Sequence, residues 1–443
     1  MVRPSGVAGR RRDGRPARLR QERAGPQGDR GPTAEPLDRR RLLRAAGLAA
    51  VCTALLWLRT DHLTLGSPYF VLPWDHHMYI AMAVGGPLDF HVAPYAWRIL
   101  GPALVWAMPF GAQLGFQIVT LVCVWGTGVA VWALLARLGF RPELCTAGLL
   151  LSFSLGYATK WTVFDFWLTD PLAFLLATTA VLLVLSGRDL AFAVCLAVGV
   201  LAKESVIFVA PLAYTLRARR PWDRALALRT LGATLPAIGA LVAVHLGIPE
   251  RNADPAYVAG LPRAIRENTI PHYTYGSVLH HIVARRLDHW PQSLVRTVSA
   301  FGVATPVLAA IGLRSPRARS FALRALPFLA LVLVQLLFAY NTERLLVLGL
   351  VAAVPLAVWG FEQLIDLRGS GLAACVTLAG VLFLVQLAGM HEWEPNPLVQ
   401  LAVLAVFVPF VGPWRVGRGR RRRRNEPAAV GDSEPTPSSP APT

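Results

Sequence analysis

Long apolar runs divide this chain and constrain its fold more than any other feature. Residues 168–186, 226–248 and 321–339 are examples. Each run is close to the roughly 20 residues that an α-helix needs to cross about 30 Å of hydrocarbon. The apolar residues do not alternate with polar ones, so helices are favoured over a β-barrel. The sequence therefore predicts an all-α polytopic membrane protein.

The composition agrees with a membrane location. Hydrophobic residues make up 54% of the 443-residue chain, the mean hydropathy is +0.46, and charged residues make up only 16%. A soluble globular protein carries about 25% charged residues. The five cysteines lie in or beside apolar runs and form no CxxC pair, which predicts buried thiols rather than disulfides or metal ligands.

Two basic tails account for much of the net charge of +18. Residues 1–41 are rich in Arg, Gly and Pro, and residues 415–443 contain the arginine run 420–424. Both have few apolar residues to bury, which predicts disordered tails on either side of a transmembrane domain over residues 42–414. We expect these tails to lie in the cytoplasm and contact anionic lipid, and we do not expect nucleic-acid binding.

We predict about twelve transmembrane helices, with two segments open to a second interpretation. Residues 99–111 contain two prolines and are predicted as a re-entrant or interfacial helix. Residues 190–216 carry Lys203 and Glu204 at their middle. Two short helices that meet at a polar tip avoid burying both charges in the bilayer. The predicted spans are residues 42–58, 115–136, 144–158, 168–186, 190–202, 205–216, 227–248, 293–313, 321–340, 343–360, 371–390 and 397–413.

The distribution of arginines favours this arrangement. With twelve spans both termini are cytoplasmic in a multi-pass protein of the cell membrane, and the short inner loops hold most of the loop arginines. The alternative treats residues 99–111 and 190–216 as one span each. It also leaves both tails inside but moves Arg137, Arg141 and Arg188 outside, against the positive-inside rule.

In the favoured topology, the polar residues suited to catalysis converge on the outer face. Asp75 lies in the first outer loop, residues 59–97, and later outer connections carry further acids and bases. Sugar transfer from a lipid phosphate needs a carboxylate that takes a proton from the acceptor hydroxyl. It also needs cations that hold the departing phosphate at the membrane surface. The pattern therefore favours a membrane glycosyltransferase.

Four short motifs, in this order, resemble the GT-C superfamily of membrane glycosyltransferases. They are the acid within residues 74–79, the segment 94–100, Asp170-Pro171 at the start of a span, and residues 201–205 before an apolar run. Glu343-Arg344 at the opening of a late span is a further similarity. The resemblance covers roughly residues 42–365. It implies a GT-C-like fold with an outer-face first loop and a mannosyltransferase-like activity that depends on a polyprenyl-phosphate sugar.

The resemblance also implies residue roles. The acid of the first outer loop is the usual catalytic base in the family, so this role passes to Asp75. Many members carry paired acids there, whereas Asp75 has no acidic neighbour and Asp89 follows fourteen residues later. This departure weakens the prediction of a metal site. The predicted substrate- or phosphate-binding residues are Arg98, Asp165, Asp170, Lys203, Glu204, Glu343 and Arg344.

The expected partners are a polyprenyl-phosphate-linked sugar, membrane lipids, and a glycan, lipid or protein acceptor. No cofactor is assigned, and a divalent cation is left open. The adjacent histidines His76-His77 and His280-His281 do not share a helical face, so no metal site is predicted from them. Two other functions stay open: a transporter or lipid flippase, and a non-catalytic membrane component of an envelope-assembly complex.

Some of these residues also have simpler interpretations. Asp170-Pro171 is a good helix N-cap followed by proline at the first helical position. Lys203-Glu204 forms, on this view, only an ion pair at a tight helical tip. Tyr79 and Tyr95 lie near predicted membrane ends, where the interfacial aromatic belt explains them without a catalytic role.

Overall fold

The computed structural model describes residues 38–271, 300–337, 341–364, 371–388 and 397–407, together with a few positions between 276 and 296. The predicted tails fall outside these residues, apart from residues 38–41. The first helix begins at Arg39, three residues before the predicted start of the span. Asp38 provides the cap, because its side chain accepts a hydrogen bond from the backbone N–H of Arg40 at 2.9 Å.

The described part of the chain is helical and contains no β-strand. The helices up to residue 271 are α1 (Arg39–Arg59), α2 (His76–Gly85), α3 (Leu100–Trp106), α4 (Ala112–Arg137), α5 (Pro142–Phe153), α6 (Lys160–Phe164), α7 (Asp170–Leu185), α8 (Asp189–Ala202), α9 (Ala210–Thr215), α10 (Arg224–Gly247), α11 (Pro255–Ala259) and α12 (Arg263–Glu267). Those that follow are α13 (Ala304–Gly312), α14 (Pro316–Val334), α15 (Thr342–Leu346), α16 (Leu350–Leu364), α17 (Gly371–Ala388) and α18 (Pro397–Val406).

Six described helical segments are long and apolar enough to cross a membrane, so the chain has the helices of a membrane protein. They are Arg39–Arg59, Ala112–Arg137, Arg224–Gly247, Pro316–Leu337, Thr342–Leu364 and Gly371–Ala388. Five shorter apolar helical segments, of 10–17 residues, correspond to other predicted spans. α5 ends at Phe153, five residues before the predicted end of its span. Just beyond this end, the hydroxyls of Ser154 and Thr159 donate hydrogen bonds to backbone carbonyls.

The segment with two interpretations, residues 190–216, forms two short helices. α8 ends at Ala202, Lys203 has extended backbone, and a 3-10 turn over Glu204–Val209 leads into α9. The chain reverses direction at this tip, because Arg217, just after α9, forms an ion pair with Asp189 at the start of α8. Residues 99–111 contain only the seven-residue α3. At about 1.5 Å of rise per residue, that helix is too short to span a bilayer.

Successive helices run in alternating directions, so their connections lie at two ends of the bundle. The two ends differ in the charged residues that they carry. One end, here called the site end, contains residues 60–98, 160–170 and 203–204. The other, here called the arginine end, contains residues 137–141, 186–189 and 314–324. At the arginine end Glu362 interacts electrostatically with Arg317 and Arg141. At the site end the indole of Trp97 donates a hydrogen bond to the carbonyl of Ile248, just after α10.

Close helix packing anchors the late helices that carry part of the site. α13 and α16 run antiparallel, and glycines lie where their backbones meet. A Cβ on Gly360 would lie 2.0 Å from the carbonyl oxygen of Leu308, and one on Gly312 would lie 2.2 Å from that of Leu356. Small residues at such contacts let apolar helices associate without a hydrophobic driving force. This contact fixes the position of α16, which follows α15 in the chain, and α15 carries Arg344.

Candidate functional site

Asp75 lies at the site end, immediately before α2. One oxygen of its carboxylate accepts a hydrogen bond from the Tyr95 hydroxyl at 2.8 Å. The other oxygen accepts from Nη1 of Arg344, also at 2.8 Å. Burial raises the pKa of Asp75, but the Arg344 guanidinium and the Tyr95 hydroxyl outweigh this effect and hold the pKa below its ordinary value. Asp75 is therefore a carboxylate in this arrangement, with its negative charge compensated.

Arg344 joins Asp75 to a second, deeper carboxylate. Its Nη2 lies 2.6 Å from Oδ2 of Asp170, and Nζ of Lys203 lies 2.5 Å from Oδ1 of the same residue. Asp170 is the first residue of α7, with Pro171 second, and Thr169 rather than Asp170 is the N-cap. The N-terminus of a helix favours a negative charge, so the helix and both cations stabilise this carboxylate.

A second ion pair flanks this network. Nε of Arg98 lies 3.1 Å from the nearer carboxylate oxygen of Glu204, the residue next to Lys203 at the hairpin tip. Nη1 of Arg98 donates to the hydroxyl of Tyr79 at 3.2 Å. Arg98 and Arg344 both act electrostatically on Lys203, so three cations converge at this end of the bundle.

Sequence reasoning missed two members of the cluster. The sequence predicts Tyr79 and Tyr95 in the interfacial aromatic belt, but their rings pack edge to face, and their hydroxyls contact Arg98 and Asp75 respectively. Tyr79 is almost completely buried. A usable signal exists for Tyr79, because it lies four residues after Asp75 and therefore on the same face of the helix turn. Tyr95 offers no such signal.

Asp165 lies beside the network in a different setting. Its side chain is buried next to the ring of His76, with 3.9 Å between the His76 Nδ1 and one carboxylate oxygen. Among the described residues, neither that nitrogen nor the other oxygen of Asp165 has a hydrogen-bond partner. Burial raises the pKa of Asp165 to about 8 and lowers that of His76 to about 4. Near pH 7 the pair is therefore neutral.

Glu343 is placed apart from the Asp75 network. Its carboxylate lies 3.5 Å from Nε of Arg296, whereas the neighbouring Arg344 faces Asp75 and Asp170. Of the eight residues predicted from sequence, the structure links Asp75, Asp170, Lys203 and Arg344 directly. It places the Arg98–Glu204 pair beside them.

No metal site is apparent in the described part of the chain, where no three His, Cys, Asp or Glu side chains are grouped to hold an ion. Asp75 and Asp170 bind cationic side chains. The Nε2 atoms of His76 and His77 are within hydrogen-bond distance of the backbone carbonyls of Phe70 and Leu72, respectively. These residues therefore do not form the donor set that a divalent cation prefers.

Comparisons with known proteins leave the chain without an assigned family. No protein-family model matches it, and no curated protein and no solved structure is similar enough to count as a match. Functional inference therefore rests on the chemistry of the site. Buried charges cost several kcal/mol each unless they are well paired, and such groups concentrate where a protein binds or transforms a ligand.

Proposed function

We propose that this chain is a membrane glycosyltransferase that moves a sugar from a polyprenyl-phosphate donor to an envelope glycan, lipid or protein acceptor. One observation carries the proposal: a partly exposed carboxylate, Asp75, is bound to Arg344 within a cluster of three cations at one end of an apolar helical bundle. A lipid-linked phosphate keeps its hydrocarbon tail in the bilayer and presents its phosphate at such a site.

The reaction assigns a role to each group. The acceptor oxygen forms a bond to the anomeric carbon of the sugar, and Asp75 takes the proton from that hydroxyl. The bond between the anomeric carbon and the phosphate oxygen breaks, and its electron pair leaves with the polyprenyl phosphate. Arg344, Lys203 and Arg98 stabilise the negative charge that develops on this phosphate. No described residue needs to form a covalent intermediate.

The charge pattern of the two ends supports an orientation. In the proposed topology the arginine end faces the cytoplasm and the site end faces outward, following the positive-inside rule. About twelve spans then place both termini in the cytoplasm of a multi-pass protein of the cell membrane. The GT-C resemblance of the sequence motifs agrees with this arrangement, because it also puts the first loop and its acid outside.

Sugar transfer by the purified protein tests the proposal. The wild type, reconstituted in lipid nanodiscs, is incubated with a panel of polyprenyl-phosphate sugars and envelope acceptors, and the glycosylated product is measured. We expect Asp75→Asn to lower the rate by at least about 100-fold, the usual contribution of a positioned base. Asp89→Asn is the matched control, because Asp89 is an exposed acid of the same loop. Full activity of Asp75→Asn would exclude the proposed base.

The location of the two ends separates a transferase from a transporter or flippase. Reporter fusions after Phe140 and after Asp165 give the side of the membrane for each loop. The transferase requires Phe140 inside and Asp165 outside, because all catalytic groups must then face one compartment. If the Asp165 reporter falls in the cytoplasm, the outer cluster is divided across the bilayer and the transport alternative is favoured. Restoration of an envelope defect by Asp75→Asn would favour a non-catalytic component.

A further inference from the structure

The two carboxylates bound to Arg344 are held very differently. Asp170 is 2% exposed and is bound by Lys203 as well as by Arg344. Asp75 is 19% exposed, and among the described residues its carboxylate has the Tyr95 hydroxyl as its one hydrogen-bond partner besides Arg344. An anion that reaches Arg344 from solvent therefore meets Asp75 first and competes with the more weakly held carboxylate.

Arg344 can donate hydrogen bonds to such an anion once Asp75 leaves it. A guanidinium carries five N–H donors, and its planar fork matches the oxygens of phosphate. Nη1 of Arg344 reaches the more exposed carboxylate, Asp75, whereas Nη2 reaches the buried Asp170. Release of Nη1 by Asp75 would therefore free the N–H donors of this nitrogen for a phosphate, beside the positive charges of Lys203 and Arg98.

The charge count shows what an incoming phosphate must change. Three cations (Arg98, Lys203 and Arg344) face three carboxylates (Asp75, Asp170 and Glu204), so the network is neutral before any ligand binds. A phosphate that binds Arg344 therefore has to displace a carboxylate from that side chain, and Asp75 is the more exposed of the two.

We propose that the phosphate of the donor displaces Asp75 from Arg344, and that this exchange releases Asp75 to act as a proton acceptor only when donor is bound. The inference rests on the proposed function and adds a binding order to it. Donor binding comes first and prepares the base for the acceptor. Without donor, Asp75 stays bound to Arg344 and is a weak base. This order protects the donor site from unproductive proton transfer.

Several groups face Asp75 and share in any change of its protonation. They come from α2, from the segment before α3, from the connection before α7 and from α15. These groups are Arg344, Tyr95, Arg98, Tyr79, His76 and Asp165. Among them, only Arg344 both binds Asp75 and is placed to accept a phosphate. A measurement must therefore report on the contact between Arg344 and Asp75 and on whether Asp75 stays ionised.

Calorimetric binding of farnesyl phosphate to the full-length protein in nanodiscs provides that measurement. Titrations at pH 7 in buffers of different ionisation enthalpy give both the affinity and the number of protons taken up. We expect no proton uptake that depends on Asp75, because the released carboxylate must stay ionised to act as a base. The proton count of Asp75→Asn should therefore equal that of the wild type and of the control Asp89→Asn. We also expect Asp75→Asn to bind farnesyl phosphate about 5–10-fold more tightly, because the internal competitor for Arg344 is gone.

Two outcomes would overturn the proposal: proton uptake by the wild type that Asp75→Asn lacks, or an affinity of that variant equal to or weaker than wild type. The proton count of the wild type needs no variant, so it stays informative if Asp75→Asn folds poorly: net uptake of a proton would contradict an ionised Asp75. Inorganic phosphate in place of farnesyl phosphate identifies the source. Equal gains for both assign the exchange to any phosphate group, and a gain for farnesyl phosphate alone assigns it to a lipid headgroup. The binding assay requires no sugar transfer, so the exchange and the transferase activity stand or fall separately.

Discussion

The site end and the arginine end of the bundle both contain ion pairs, but the pairs differ in burial. Lys203 and Asp170, at the site end, have side chains 8% and 2% exposed. Arg217 and Asp189, at the arginine end, are 24% and 39% exposed. Exposed pairs contribute roughly 0–1 kcal/mol and are replaced easily. Buried pairs are expensive to assemble, so their presence at only one described end points to ligand chemistry there.

Removal of the central cation should have the largest effect on stability. Arg344→Met leaves Asp75 and Asp170 without their shared partner, and an uncompensated buried charge costs about 3–5 kcal/mol. The free energy of unfolding in mixed detergent and SDS micelles measures this loss. A loss below about 1 kcal/mol would mean that the network is solvated, and the contrast between the two ends would disappear.

The buried Asp165–His76 pair predicts a smaller effect that depends on pH. Burial raises the pKa of Asp165 to about 8, so the native state retains a proton that the unfolded state releases, and stability falls as pH rises toward 8. Burial lowers the pKa of His76 from 6.5 to about 4, which acts in the opposite sense below pH 6.5. Of these two groups, only Asp165 acts between pH 6.5 and 8, and its contribution to stability should fall by about 1–2 kcal/mol.

Unfolding measured across that pH range in wild type and Asp165→Asn checks this prediction. The variant carries no titrating group at the position, so the fall attributed to Asp165 should be absent. Asp89→Asn should retain it. An unchanged slope in Asp165→Asn would show that another group is responsible.

The smallest effect is expected at the arginine end. Arg217→Met removes the partner of Asp189, but both side chains stay partly solvated. The free energy of unfolding should change by less than about 1 kcal/mol, and sugar transfer should be unaffected. This variant is the matched control for Arg344→Met. A loss as large as that of Arg344→Met would show that the two ends are energetically alike.

The sequence predicts the helical membrane character and the break at Lys203 well, because both follow from local physics. Helices follow from the length of the apolar runs, and the hairpin follows from the cost of two charges at mid-bilayer. Which groups an individual side chain contacts depends on tertiary packing. Arg344 reaches Asp75 across 269 positions of sequence. No local feature predicts that Arg344 joins this network while the neighbouring Glu343 pairs with Arg296.

The roles of the aromatic residues were less predictable for a similar reason. A tyrosine near a predicted membrane end fits the interfacial belt whether or not its hydroxyl contacts a charge. Only the packing of residues 94–98 against α2 brings Tyr95 to Asp75. Likewise, nothing in the spacing of His76 and Asp165 predicts that they lie side by side. These contacts required the fold.

The central claim is that Asp75 takes the proton of the acceptor, and single-turnover kinetics test it most directly. Enzyme in nanodiscs is saturated with a polyprenyl-phosphate sugar, acceptor is added, and product is followed before donor exchange. We expect Asp75→Asn to retain donor binding and to transfer sugar at least about 100-fold more slowly than wild type and Asp89→Asn. Transfer by Asp75→Asn at the wild-type rate, with donor bound, would contradict the assignment.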